Sequence, residues 1–158
     1  MGNIQGMDSL LKKLQSLGMD TMKSLQIGVE NAGKKVQAEA KLLAPVDEGY
    51  LRNHIFEETT VSENKVTSKV YTDVEYAAYV EFGTGPVGEA SKPEAAEKLG
   101  ITYKIDKWRG NIPDVGIRWI SGQAAQPYMY PAIKNNKENV SQIIQDTVKK
   151  QIEKVAKK

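Results

Sequence analysis

The sequence predicts an α+β protein, a mainly antiparallel sheet packed with a long N-terminal helix and a long C-terminal helix. Three observations predict it. Met22, Leu25, Val29, Ala32, Val36 and Ala40 step by three and four, as one face of a helix does. Two runs rich in Val, Thr, Tyr and Ile follow, separated by a short polar turn. Ile133, Val140, Ile144, Val148, Ile152 and Val155 then line one face of a helix at the other end of the chain. Strands grouped together and joined by short turns, with helices before and after them, favour α+β. A chain of 158 residues fits one domain, 1–158. At that size a fold buries about 70% of the surface its unfolded chain exposes.

In chain order, Asp8 is placed to cap a short helical turn carrying Leu10, Leu11, Leu14 and Leu17, which Gly18 interrupts. A longer helix spans residues 21–43. Pro45 stops it, because proline restricts Ala44 and cannot donate a helical hydrogen bond. Asp47 is a candidate cap for a short turn holding Leu51. Strands are predicted at 54–61 and 66–73, with Ser62-Glu63-Asn64-Lys65 as the turn. Residues 75–82, dense in aromatic and small residues, predict a short helix broken by Gly83-Thr84-Gly85-Pro86. Residues 86–115 read as an extended loop or hairpin excursion. Within it Pro93 starts a brief helix that Gly100 ends, and Ile101, Tyr103 and Ile105 alternate with polar residues at the period of a half-buried strand. A further strand is expected at 116–120. Residues 126–131 hold too much proline for a ladder and are expected to be extended, and the last helix runs over 132–157.

Composition narrows the function. Basic and acidic residues nearly balance, 22 against 20, whereas a dedicated nucleic-acid binder carries a basic excess. There is no cysteine, which excludes disulfides and thiolate metal sites. No apolar run approaches the roughly 20 residues needed to cross a bilayer, so no membrane association is expected. MGNIQG has neither the pattern of a secretory signal nor the Ser or Thr that a myristoylation site wants at Gly6.

A search for chemistry finds little. His54 is the only histidine, too few for a zinc site or a nucleophilic triad. Glu57 and Glu58 are adjacent on a strand and point to opposite faces. Gly83-Thr84-Gly85-Pro86-Val87-Gly88 fits G-x-G-x-x-G, but Pro86 removes an amide and Glu89 puts negative charge where a phosphate would sit. No enzyme, no cofactor and no catalytic residue is expected. The lysines of the last helix, Lys134 to Lys158, read as a solvated face. A nucleic-acid-binding module built on them is the alternative reading. The aromatic residues are more suggestive. Tyr76, Tyr79 and Phe82 are spaced by three, and Tyr128 and Tyr130 flank Met129 between Pro127 and Pro131. They serve either as core or, since tyrosine suits a surface wet on one side, as interface. If Tyr79 packs on the strands, its loss costs about 3–5 kcal/mol.

Ala44-Pro45-Val46-Asp47-Glu48-Gly49-Tyr50-Leu51-Arg52-Asn53 resembles the first motif of bacteriophage tail-component proteins of the gene-product-10 type. Tyr76-Ala77-Ala78-Tyr79-Val80-Glu81-Phe82-Gly83-Thr84-Gly85 resembles their second, and Ala125-Gln126-Pro127-Tyr128-Met129-Tyr130-Pro131-Ala132 their third. Order and spacing agree. Glu48, His54, Tyr128 and Tyr130 depart from the residues common there. The resemblance implies a structural virion protein of the neck, made in the bacterial host cytoplasm, which completes or joins head and tail as a ring of about six copies, or about twelve. The implied partners are copies of itself, a portal-side connector ring, a tail terminator or tail tube protein, and DNA passing without sequence-specific binding. The residues expected to set the fold or an interface are Pro45, Asp47, Gly49, Leu51, Tyr76, Tyr79, Phe82, Gly83, Tyr103, Trp108, Trp119, Pro127, Tyr128, Tyr130 and Pro131. Of the excursion, Ile101, Tyr103, Ile105 and Trp108 are expected to be buried by a neighbouring subunit, with a hairpin folded on its own sheet as the alternative.

Overall fold

A computed structural model describes the backbone of residues 7–63 and 65–156, and the side chains of all of these except 7–17, 19, 155 and 156. The expectations for the N-terminal MGNIQG, for Asn64, for the side chains of Asp8, Leu10, Leu11, Leu14, Leu17 and Val155, and for Lys157 and Lys158 lie outside the described residues. The elements are α1 (Met7–Leu43), α2 (Tyr50–Asn53), β1 (Ile55–Ser62), β2 (Lys65–Thr72), α3 (Ala77–Phe82), α4 (Gly85–Ala90), α5 (Glu94–Lys98), β3 (Trp108–Ile112), β4 (Gly116–Ile120) and α6 (Met129–Ala156). The class is α+β with a helix at each end, and the antiparallel pairing is shared between two hairpins, β1–β2 and β3–β4.

α1 runs through Gly18 without the expected break. A glycine inside a helix costs about 1 kcal/mol, and the turns on both sides of Gly18 absorb that. The buried face is also narrower than the apolar pattern suggests, with Ser24, Gly28, Ala32, Val36 and Ala40 at strict fourth positions.

The chain forms two compact units, and α1, α6 and the β1–β2 hairpin contribute to both. Unit one comprises Met1–Val36, Glu57–Val70 and Asn136–Lys158. Here small residues of α1 admit close neighbours. A Cβ on Gly28 would sit 3.2 Å from the Cα of Ile144 on α6, and one on Gly33 would sit 1.9 Å from Ser68 Oγ on β2. Ser68 donates to Glu57 Oε1 at 2.7 Å, so a polar pair across β1 and β2 faces α1.

Unit two comprises Gln37–Phe56 and Tyr71–Asn135. Its interior is built from Ala44, Leu51, Ile55, Val74, Ala77, Ala95, Ala96, Tyr128 and Ala132, of which Tyr128 and Ile55 are the largest fully buried side chains. Pro45 ends α1 as expected, the last bond running from Ala44 N–H to Ala40 O. Asp47 does not cap α2. The residue before α2 is Gly49, at φ 81°, a left-handed conformation that glycine adopts without a Cβ penalty. In β3–β4, Trp108 pairs with Ile120, Arg109 with Trp119, Asn111 with Ile117 and Ile112 with Gly116.

One expectation for the middle of the chain is corrected. Residues 101–105 form no strand, although Ile101 and Tyr103 are half-buried and Thr102 and Lys104 exposed. The alternation reports one buried side of an extended segment, not ladder pairing. Tyr103 donates its hydroxyl to Phe82 O at 2.8 Å. Ile101, Tyr103 and Trp108 are half-buried within their own unit, and Ile105 stays well exposed. Residues 86–115 carry α4, α5 and β3, so the excursion is largely structured.

Candidate functional site

A helix begins with backbone N–H groups that no earlier turn can satisfy. α6 begins at Met129, and the residue ahead of it is Tyr128, which has no short polar side chain to serve as a cap. The acceptor comes from 47 residues earlier. Glu81, on α3 and only 5% exposed, accepts through Oε2 from Tyr128 N–H at 2.8 Å and Met129 N–H at 2.9 Å, and through Oε1 from Tyr130 N–H at 3.0 Å. A carboxylate at this end also meets the positive pole of the helix dipole, and hydrogen bonds to it are charge-assisted. Pro131 was expected in extended chain, but it lies in the first turn of α6, where its missing N–H costs nothing.

The glycine-rich segment after α3 holds this arrangement in place. Gly83 has φ 74°, and a Cβ there would fall 2.7 Å from Ala125 N and 2.8 Å from Gln123 O. A Cβ on Gly122 would lie 1.8 Å from Thr84 O. Two backbones therefore cross with no room for side chains. Thr84 N–H donates to Gln123 O at 2.9 Å, Gln123 N–H to Thr84 O at 3.1 Å, Val87 N–H to Ser121 O at 3.1 Å and Gln126 N–H to Val80 O at 2.8 Å. The N–H groups of Gly83, Thr84, Val87 and Gly88 in the G-x-G-x-x-G segment thus donate to protein carbonyls and not to a phosphate. The second and third sequence motifs meet here.

Tyr128 is 1% exposed, and burial, with the charges of Glu81 and Tyr76 nearby, pushes its hydroxyl up to about 12. Phe82, Tyr103, Trp108, Pro127 and Tyr130 are half-buried in the same unit, and Gly83 and Leu51 are buried. Tyr76 is 44% exposed, and Tyr79, expected to pack on the strands, is 59% exposed. It turns outward because α3 presents Ala77 and Glu81 inward. Tyr79→Ala is therefore expected to change stability by no more than about 0.5 kcal/mol, readable as an unshifted urea midpoint.

Beside the cap, Glu94 on α5 binds Lys134 of α6 and, at 2.6 Å, Lys98. Lys98 also donates to the Tyr130 hydroxyl at 2.9 Å. Hydrogen bonds from Lys134, then Lys98, then Tyr130 lower the Glu94 carboxyl to about 2. A folded value below the unfolded one means that the pairing contributes at pH above about 4.5 and is lost as pH falls towards 2. A carbon NMR titration of the Glu94 carboxyl is expected to show that low midpoint, moving upward in about 0.5 M salt because the group is exposed. A midpoint at the ordinary glutamate value at low salt would remove the pairing.

The first motif forms its own corner, where Arg52 donates to Ala44 O at 3.4 Å and Tyr50 stacks on His54 with centroids 3.9 Å apart. Glu81, Gly122 and Gln123 were missed in the sequence. For Glu81 a signal existed, a lone acid in the small apolar run Ala77–Phe82 and a helix start lacking its own cap. Among the described residues no group of three His, Asp or Glu could hold a metal, and no helix is long and apolar enough to cross a membrane.

Residues 8–83 match the model of the family HK97-gp10_like, described as "Bacteriophage HK97-gp10, putative tail-component". No curated protein and no solved structure matches the chain. The matched stretch contains the first motif and ends at Gly83, just past the carboxylate that caps α6. Over residues 8–83, from the first helix to the end of α3, this chain is similar to the HK97-gp10-like family of bacteriophage tail components.

Proposed function

We propose that this chain is a structural virion protein of the head–tail junction of a tailed phage or prophage-like particle. Its copies form a ring of about six, or about twelve, around the DNA channel, and closed cyclic symmetry suits a collar. The portal-side connector lies on one side of that ring and a tail terminator or tail tube protein on the other. The role is non-enzymatic, and DNA passes without being read.

The family match over residues 8–83 carries this reading. The surface supports it, since Leu42 is 73% exposed and Ile105 and Trp119 are each 67% exposed. Large apolar side chains left in water in such number suit a protein that is finished by neighbours. The alternative of nucleic-acid binding gains nothing from α6, where Lys149, Lys150 and Lys154 alternate with Asp146 and Glu153. Electron cryo-microscopy of particles is expected to show several copies of the chain arranged around the axis at the neck. A single asymmetric copy would overturn the proposal.

A further inference from the structure

We propose that the β3–β4 hairpin of one copy docks on residues 42–50 of a second copy, which makes the contact between neighbours head-to-tail. This rests on the ring reading above and names the surfaces that would build it.

The hairpin has a face with nothing to cover it. Cross-strand partners Arg109–Trp119 and Asn111–Ile117 lie two residues apart along each strand, so the four side chains share one side. Trp119 and Ile117 are largely exposed. The Arg109 guanidinium sits 6.0 Å from the Trp119 ring, forming a cationic and aromatic pair of the kind that anchors interfaces. An isolated two-stranded hairpin is marginal in water, so burial of this face by a neighbour would stabilise the hairpin itself. Arg118, between Ile117 and Trp119 on β4, faces the other side of the hairpin, so Arg109 is the cation of this face.

Residues 42–50 offer the complement. Leu42, Leu43, Val46 and Tyr50 are exposed apolar groups, Asp47 and Glu48 are exposed acids, and no basic residue occurs between 42 and 50. Charge decides how the surfaces pair. A two-fold contact of hairpin on hairpin brings Arg109 towards its own copy, and a contact of the 42–50 stretch on itself opposes Asp47 and Glu48 to theirs. Like charges facing each other across an interface are costly. Hairpin on stretch matches cation with anion and apolar with apolar. Because the two surfaces differ, the contact is heterologous and repeats from copy to copy until it closes.

The chain has no cysteine, so single cysteines report without background. Particles are assembled from an equal mixture of Val46→Cys and Ile117→Cys chains and treated with a short bis-maleimide. The expected product is a 46–117 dimer, absent when either variant is used alone. Linkage of 117 to 117 would show a two-fold contact and overturn the proposal. Several copies at the neck without any 46–117 product would overturn it too, by assigning both surfaces to other occupants, and would leave the ring reading standing. A single copy at the neck would end both. As a second measure, Asp47→Lys with Glu48→Lys, or Arg109→Glu, is expected to lower incorporation at least about tenfold, equivalent to ~1.4 kcal/mol. All three changes in one chain are expected to restore it, and failure of the triple variant, if folded, counts against the pairing.

Discussion

Replacing Tyr128 by alanine is expected to destabilise the folded chain by about 3–5 kcal/mol, the largest single effect in unit two. Among the described residues Tyr128 is, with Ile55, one of the largest fully buried side chains, and it directly precedes α6, where its N–H donates to Glu81. Alanine would leave a cavity, and the other buried residues of unit two include Ala77, Ala95, Ala96 and Ala132, which have no rotamer to change. Tyr128→Phe keeps the ring and is expected to cost under about 1.5 kcal/mol. Urea unfolding of the three proteins at one pH checks the order. A Tyr128→Ala midpoint within error of the parent would mean that the ring contributes nothing to the interior.

Glu81→Ala is expected to cost about 2–4 kcal/mol, since it removes a charged acceptor shared by three amides. Glu81→Gln keeps one acceptor oxygen without the charge and is expected to cost about 1–2 kcal/mol. Hydrogen exchange localises the effect, with the amides of Tyr128, Met129 and Tyr130 losing protection while the later turns of α6 keep theirs. Uniform loss along α6 would mean that the carboxylate supports the whole helix and not its first turn. The 47-residue separation also bears on folding. The first turn of α6 is completed only when a long loop has closed, and such closure is slow compared with helix formation.

The two long helices, the β1–β2 hairpin, α3 and β4 were legible because each has a strong local pattern. The stop at Pro45 was legible because proline acts on its own neighbours. The break at Gly18 was misread because glycine weakens a helix without ending it. The strand at 101–105 was misread because a period of two reports which side chains are buried, and an extended segment lying against α3 satisfies it without a ladder. β3 carries Arg109, Gly110 and Asn111, which have little strand preference, and it exists through its pairing with β4. The candidate site was half legible. Its motifs could be found, yet nothing local to Glu81 tells that it caps a helix 47 residues away. Tyr79 and Tyr128 look alike in the sequence, and only the packing of α3 decides that one is exposed and the other enclosed.

The chain's two tryptophans stand in different surroundings, Trp108 half-buried beneath Gly85 and Trp119 open to solvent. Their fluorescence therefore separates into two reporters. In the free chain an aqueous quencher should reach Trp119 and largely spare Trp108, while loss of the fold should make both accessible. Trp119→Phe leaves an emission that follows only unfolding, and Trp108→Phe leaves one that shifts to the blue when Trp119 is covered. The hairpin thus supplies its own optical signal for the moment at which copies meet, with no dye and no label.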